Sequence, residues 1–103
     1  MADTPDLSVI IPCHDEQDNL RPLVAAICAA LDPLKLPYEI IFTDDASHDQ
    51  SWAILKELAA SDPRIRAQRF AVNAGQSAAL WAGLKAARSN TPAAETARID
   101  FLR

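Results

Sequence analysis

The sequence has 103 residues, of which 50% are hydrophobic and 23% are charged, with a formal net charge of −4 and a pI of about 4.9. This length allows one small soluble domain, and the acidic balance argues against nucleic acid as a partner, because phosphate backbones bind to basic surfaces. A nucleotide stays possible, since a few backbone N–H groups can hold its phosphates. The two cysteines lack metal-ligand spacing, and no apolar run reaches the roughly 20 residues of a membrane span. With no signal-peptide pattern at the polar N-terminus, we expect a cytoplasmic protein.

The first predicted strand, Leu7 to Pro12, is apolar and β-branched, as is typical of a strand buried on both faces of a parallel sheet. A polar loop, Cys13 to Asp18, follows it. Apolar residues then recur at helical spacing from Leu20 to Leu31, with Asn19 as the expected N-cap. The pair Asp32-Pro33 is expected to end this helix.

The second predicted strand, Tyr38 to Thr43, leads into an acidic loop, Asp44 to Asp49. Ser47 and Gln50 have the spacing of a capping box. A second helix is therefore predicted after them, ending near Ser61.

A weaker and more polar strand is predicted from Arg64 to Val72, near an edge of the sheet. Asn73, Ala74 and Gly75 then form a turn into a third helix, Gln76 to about Arg88, whose apolar face is predicted to contain Leu80, Leu84 and Ala87. The order β-α-β-α-β-α predicts an α/β, Rossmann-like three-layer sandwich with a parallel sheet. We expect a domain over residues 1–88 and an atypical tail over residues 89–103.

Ligands of such sheets bind beyond the carboxyl ends of the strands, so the three loops that follow the strands are the expected functional positions. Asp44 and Asp45 could accept hydrogen bonds from a base or ribose or bind a cation, but one could equally cap the next helix while the other is solvated. His14 alone needs no functional role. Gly75 could allow close approach of a phosphate or could simply form a turn and helix cap.

Two nucleotide-binding motifs and one signalling domain are excluded by the residues present. The sequence has only two glycines, Gly75 and Gly83, and therefore has neither a G-x-G-x-x-G motif nor a P-loop. A receiver-like domain would need a phospho-acceptor aspartate at the end of the third strand, where this sequence has Asn73.

Three motifs in order resemble those of family 2 glycosyltransferases, which have the GT-A fold. They are SVIIPCHDE from Ser8 to Glu16, YEIIFTDDASHD from Tyr38 to Asp49, and NAGQSAA from Asn73 to Ala79 with Gly83 behind it. The resemblance covers Leu7 to about Arg88 and is greatest to the branch that contains dolichol- and polyprenyl-phosphate sugar transferases. It implies a partial GT-A fold, the N-terminal half of a nucleotide-sugar-binding domain.

The resemblance also implies a ligand, a nucleoside-diphosphate sugar based on UDP or GDP. The residues that it places at the nucleotide-sugar site are Pro12, His14, Glu16, Thr43, Asp44 and Asp45. It places no catalytic residue and no metal ligand in this chain. An intact relative is expected to use Mg²⁺ or Mn²⁺ bound to an Asp-x-Asp motif, and to transfer the sugar to an acceptor such as a polyprenyl phosphate in a membrane.

The sequence departs from the family pattern in its loops and in its tail. His14 and Asp15 replace a usual tyrosine and asparagine, and Ala46 replaces a common glycine, from which we expect that residue 46 avoids a positive φ. After Arg88 there is no fourth apolar strand and no Asp-x-Asp, so we expect no sugar transfer by this chain alone. The alternative hypothesis is a non-catalytic, truncated domain that acts through protein association, with a partner or, in a homo-oligomer, a second copy of the chain covering an open sheet edge.

Overall fold

The structure is a computed structural model that describes residues 4–88. The elements of this part are β1 (Leu7–Cys13), α1 (Leu20–Leu31), β2 (Tyr38–Asp44), α2 (Ser51–Ser61), β3 (Ile65–Arg69) and α3 (Gln76–Ala86). The predicted α/β order is thereby confirmed, and α1 ends directly before Asp32-Pro33 as expected, with a short 3₁₀ helix, Asp32–Leu34, after it. Strand β3 ends three residues before the expected Val72. The proposed tail, residues 89–103, lies outside the described residues.

The three strands form one parallel sheet in the order β1-β2-β3. Leu7 pairs with Tyr38 and Cys13 with Asp44, so β1 and β2 end at the same level. Within residues 4–88, β1 and β3 are the two edges of the sheet. Association through an open edge stays a prediction.

Alternating side chains of the strands separate the helices into two layers. Val9, Ile11 and Cys13 pack with residues of α1 and α2 in one buried cluster. The opposite face contacts α3, where Gly83 lies against Ile10. Because both crossovers progress in the same direction along the sheet, α1 and α2 share one face, and the fold is a three-layer sandwich.

The face that α3 buries differs from the predicted one. We expected Leu80, Leu84 and Ala87, but these are only partly buried, and the buried positions are Ala79 and Gly83. Their spacing of four places two small residues one turn apart, so the helix backbone can approach the sheet closely. Apolar residues occur all around this helix, which is why the pattern did not identify the face.

Both predicted helix caps are wrong in their chemistry. Asn19 occupies the N-cap position of α1, but its side-chain amide donates to Glu16 Oε1 at 2.8 Å and makes no cap hydrogen bond. In α2 the N-cap is Gln50, while the Ser47 hydroxyl donates to the carboxylate of Asp44. The side chains of Asn19 and Ser47 therefore bond within the loops and not to the first turns of the helices, whereas Asp49 Oδ1 accepts the N–H of Ser51, the first residue of α2.

Glu39 is a buried carboxylate in the middle of the sheet, with 1% of its surface exposed. It accepts hydrogen bonds from Ser8 Oγ at 2.6 Å, Arg66 Nη1 at 2.9 Å and Arg88 Nε at 3.0 Å, and from the Arg88 backbone N–H at 2.7 Å. Burial by itself would raise the pKa of Glu39, but these hydrogen bonds outweigh it and hold the pKa below the usual 4.5. The ionised carboxylate therefore connects β1, β2, β3 and the end of α3.

Replacing Glu39 with glutamine is expected to lower the free energy of unfolding by about 2 kcal/mol at neutral pH, because charge-assisted hydrogen bonds to two arginines are lost. Since the pKa is lower in the folded state, the stabilisation exists above the unfolded value of 4.5 and disappears as the pH falls through the folded pKa. The difference between the wild type and Glu39→Gln should therefore shrink in urea unfolding at about pH 3. Glu57→Gln, on the exposed side of α2, should change stability by less than about 0.5 kcal/mol. A difference that stays constant with pH would contradict this assignment.

Candidate functional site at the carboxyl edge of the sheet

The three loops that follow the strands meet at one point, the backbone carbonyl of Asp45. This oxygen accepts hydrogen bonds from His14 Nδ1 at 2.8 Å and from Asn73 Nδ2 at 3.2 Å. His14 belongs to the first loop, Asp45 to the second and Asn73 to the third. The expectation that these loops lie together is confirmed, because parallel strands bring their carboxyl ends to the same edge.

The first and second loops are further joined by reciprocal hydrogen bonds between backbone and side chains. Asp15 N–H donates to Ser47 Oγ at 2.9 Å, and Asp15 Oδ1 in turn accepts from His48 N–H at 2.7 Å. Similar bonds link Glu16 N–H to Ser51 Oγ, Gln17 N–H to Asp49 Oδ2, and Gln50 N–H to Gln17 Oε1. Most polar groups of a loop are normally solvated, so this degree of pairing indicates a preformed edge.

Asp44, a predicted site residue, is fully buried and bonded within the protein. Its carboxylate accepts from both the backbone N–H and the hydroxyl of Ser47, and lies 3.2 Å from Arg69 Nε. Asp44 therefore ties the second loop to β3. This arrangement is neither the solvated carboxylate nor the helix cap that the spacing had suggested.

Asp45, the next predicted site residue, is 4% exposed and organises the third loop. Its carboxylate accepts from Asn73 Nδ2 at 3.0 Å and from the backbone N–H groups of Ala74 at 2.6 Å and Gly75 at 2.8 Å. These N–H groups stand at the start of α3, where a negative charge is favourable. Gly75 occupies the N-cap position of α3 with a φ of 101°, so the structure supports the interpretation of this loop as a turn into the helix, held by Asp45.

Pro12 and Thr43 form the floor beneath these loops. They pair across β1 and β2, and both are buried. The Thr43 hydroxyl accepts from Gln68 Nε2 at 2.9 Å and lies on the side of the sheet that faces α3. Neither residue presents a free polar group toward the crevice.

His14 and Glu16 are the predicted site residues that offer side-chain surface at the mouth of the crevice. The His14 side chain is 41% exposed, and Glu16 is partly exposed with Oε1 bonded to Asn19. Because a carbonyl can only accept, His14 Nδ1 must carry the proton that it shares with Asp45. The orientation of the imidazole is thereby set by the second loop.

The backbone of the crevice contradicts the expectation for Ala46, which adopts a positive φ of 54°. Asp15, in the first loop, has a similar φ of 52°. The left-handed region costs an alanine about 1 kcal/mol, while aspartate tolerates it better. The hydrogen bonds between Asp45, Ser47 and their neighbours hold residue 46 in this conformation, and this constraint explains why glycine suits the position.

Sequence reasoning missed His48, Ser51, Arg69 and the bonding role of Asn73. The ring of His48 lies edge-on to that of His14, with centroids 5.8 Å apart, and Asp15 Oδ2 lies 3.3 Å from His14 Nε2. The sequence shows His14, Asp15 and His48 in their own loops, but only the register between β1 and β2 shows that they meet. The predicted ends of the strands were the one available signal. They indicate that the loops are neighbours, but they do not specify which side chains form pairs.

Cys13 lies directly under the loops and is buried. Burial, followed by the nearby Asp44, raises the pKa of its thiol to about 12. The thiol is therefore protonated at neutral pH and is a poor nucleophile. Cys13 therefore serves as a packing residue of the core.

A concavity of about 260 Å³ lies at the opposite, amino-terminal edge of the sheet, lined in part by Pro5, Pro37 and Pro63. Its polar groups bond to one another: Tyr38 and Arg64 both donate to Asp32 Oδ1, at 2.7 and 2.9 Å. Parallel sheets bind ligands at the other edge, so this cleft is a useful negative control.

Among residues 4–88, no helix has the length and apolar character required to cross a membrane.

The family model for glycosyl transferase family 2 matches residues 8–91. An uncharacterized glycosyltransferase of Synechocystis is 38% identical over 87 residues, which cover 84% of this chain and 27% of that protein. The undecaprenyl-phosphate 4-deoxy-4-formamido-L-arabinose transferase of Edwardsiella ictaluri is 43% identical over 79 residues, with coverages of 75% and 24%. The chain thus spans about a quarter of the length of these relatives.

Two solved structures share the fold. Staphylococcus aureus TarS in complex with UDP has a TM-score of 0.67 at 19% identity, over 82% of this chain and 25% of that one. The mannosyltransferase PcManGT of Pyrobaculum calidifontis, solved with GDP-mannose and Mn²⁺, has a TM-score of 0.60 at 22% identity, with coverages of 84% and 25%. The partial GT-A fold expected from the motifs is confirmed.

Proposed function

Because the chain belongs to glycosyl transferase family 2, we propose that its carboxyl-edge crevice binds the nucleoside diphosphate of a sugar donor. The observation that carries the proposal is the convergence of His14, Asp45 and Asn73, one from each loop, on a single carbonyl. Such convergence fixes the three loops to one another at the edge where parallel sheets bind nucleotides. The UDP and GDP-mannose named for two proteins of the same fold support this ligand class.

The six site residues have two different roles in this proposal. His14 contacts the base with its exposed ring, and Glu16 accepts hydrogen bonds from ribose hydroxyls or base N–H groups. Pro12 and Thr43 form the floor, while Asp44 and Asp45 fix the loops around them, since their carboxylate oxygens are already bonded within the protein. Asp45 acts on the ligand through the position of the loops.

The aspartates of the second loop, Asp44, Asp45 and Asp49, do not fit the Mg²⁺ or Mn²⁺ expected of an intact relative. Hard cations require several carboxylate or water oxygens. Both oxygens of Asp44, Asp45 and Asp49 accept hydrogen bonds from the protein. We therefore assign no step in this part of the chain to that cation.

An intact protein that contains such a segment would transfer a sugar from a nucleotide donor to a polyprenyl phosphate. This part of the proposal is supported by the names of relatives such as the undecaprenyl-phosphate transferase of Aeromonas hydrophila, 35% identical over 85 residues. A cytoplasmic location fits the two free cysteines, because disulfides are rare in reducing compartments. The sugar and the acceptor would be selected outside residues 4–88.

Calorimetric titration with UDP, GDP and ADP tests the binding proposal. We expect weak binding of UDP or GDP, and a loss of about fivefold or more in His14→Ala, since stacking on a base contributes about 1–3 kcal/mol. Glu16→Ala should also weaken binding, because a ribose or base hydrogen bond is lost. Asp18→Asn, an exposed carboxylate of the same loop, is the matched control and should bind like the wild type. Unchanged affinity in both site variants, or a preference for ADP, would reject these assignments.

A further inference from the structure

The side chains of His14, Asp15 and His48 form a cluster at the mouth of the crevice. Their donor atoms lie within 4.8 Å of one another. Asp15 Oδ2 is 3.3 Å from His14 Nε2 and 3.7 Å from His48 Nδ1. Two ligands bonded at 2.0–2.1 Å to a tetrahedral Zn²⁺ are separated by about 3.3 Å. Both distances from Asp15 Oδ2 to the histidine nitrogens approach this value, and a bound ion would hold the two nitrogens at the same separation.

The orientation of two of these ligands is already fixed. His14 Nδ1 donates to the carbonyl of Asp45 at 2.8 Å, which leaves the lone pair of Nε2 directed toward Asp15. Asp15 Oδ1 accepts the backbone N–H groups of His48 and Asp49, at 2.7 and 3.3 Å, so that Oδ2 is left for the histidines. Metal-binding histidines characteristically use their second nitrogen in this way, to set the tautomer and the direction of the ring.

A neutral histidine lone pair and a carboxylate oxygen 3.3 Å apart repel each other. A proton or a cation between them removes this repulsion. Two imidazoles and one carboxylate form a donor set suited to first-row transition metals and less suited to Mg²⁺, which prefers oxygen ligands. The side chains are 41%, 39% and 84% exposed for His14, Asp15 and His48, so a fourth coordination position is open to water.

We propose that His14, Asp15 and His48 bind one Zn²⁺-class divalent transition-metal ion, with three protein ligands and one open position. The ligands come from two loops, so the bound ion would also join the β1–α1 loop to the β2–α2 loop. This site is separate from the Asp-x-Asp motif to which an intact relative is expected to bind Mg²⁺ or Mn²⁺. It uses His14 and Asp15, the positions at which this chain departs from the family pattern.

The cysteines are unfavourable competitors for the ion. Cys13 is buried with a pKa of about 12, and metal binding requires the thiolate. The Cys28 sulfur is 3.7 Å from the guanidinium of Arg64, which precedes β3 at the opposite edge of the sheet. A histidine-specific readout can therefore isolate the proposed site.

The test is an NMR titration of the full chain with ZnCl₂ in the absence of nucleotide. The sequence has two histidines, and both are in the cluster, so every imidazole signal reports on the site. We expect saturable shifts of both rings at a ratio of one zinc to one chain, an increase in melting temperature, and no response to MgCl₂. His48→Ala should weaken zinc binding at least about tenfold, since even loss of a group that orients a ligand costs 10–100-fold. Asp18→Asn should bind zinc like the wild type.

Imidazole signals that do not respond to zinc would overturn the proposal. Zinc binding of equal strength in His48→Ala and the wild type would also overturn it. Because no nucleotide is present in this titration, its failure is distinguishable from failure of the nucleotide-binding proposal.

Discussion

Replacing Asp45 with alanine is expected to lower the free energy of unfolding by about 2–3 kcal/mol and to abolish measurable binding of UDP or GDP. The buried carboxylate accepts three hydrogen bonds from the third loop, from Asn73, Ala74 and Gly75. The loss is less than the sum of three bonds, because Asn73 and Ala74 are exposed and water can replace the carboxylate there. Nucleotide affinity should fall more than stability, because the loop loses its fixed position over the crevice.

Asp45→Asn is the graded control, since it keeps an oxygen acceptor but loses the charge that favours the start of α3. Its free energy of unfolding, measured in urea, should lie between those of the wild type and the alanine variant. Asp18→Asn should match the wild type in both measurements. An Asp45→Ala protein with unchanged stability would show that the third loop does not depend on this carboxylate. An Asp45→Ala protein with unchanged affinity for UDP and GDP would show that the position of the third loop does not affect nucleotide binding.

Replacing Gly83 with leucine is expected to lower the free energy of unfolding by about 3 kcal/mol or more, and replacement with alanine by about 1–3 kcal/mol. A Cβ at this position would fall well inside the van der Waals contact distance of Ile10 Cγ2 and would lie 3.7 Å from Thr43 Oγ1. Ile10 is completely buried, and its β-branched side chain cannot rotate away easily. The helix must therefore move away from β1 and β2.

The alanine variant makes this prediction specific, because glycine to alanine within a helix ordinarily stabilises by about 1 kcal/mol. A loss of stability reverses that sign and reports the close approach of α3 to the sheet. Ser77→Ala, at an exposed position of the same helix, is the control and should change stability by less than about 0.5 kcal/mol. A Gly83→Ala protein more stable than the wild type would show that α3 does not pack closely on Ile10.

The order and direction of the elements were predictable because each carries its own local pattern. The run from Leu7 to Pro12 is apolar on both faces, and the helix from Leu20 to Leu31 has a clear apolar stripe, so their types follow from periodicity. Helix α3 lacks such a stripe. This helix contacts the sheet through Gly83, which has no side chain, and a hydrophobic pattern does not identify a face of that kind.

The location of the candidate site was predictable to the level of loops, but the partners of its side chains were not. Asp44 and Asp45 are adjacent in sequence, yet Asp44 bonds to Ser47 and Arg69, while Asp45 bonds to the loop before α3. Those partners are set by the strand register, which no local pattern encodes. The positive φ of Ala46 was missed for the same reason, because the constraint comes from hydrogen bonds made by its neighbours.

The most direct test of nucleotide binding at the carboxyl edge is the map of backbone amide shifts when UDP or GDP is added to ¹⁵N-labelled chain. We predict shifts concentrated in the three loops, at His14 to Gln17, at Asp45 to His48, and at Asn73 to Gly75. The amides around Pro37 and Arg64, at the opposite edge, should stay unchanged. Shifts confined to that opposite cleft, or no shifts at nucleotide concentrations that saturate a weak site, would contradict the proposal that this edge of the sheet binds the donor nucleotide.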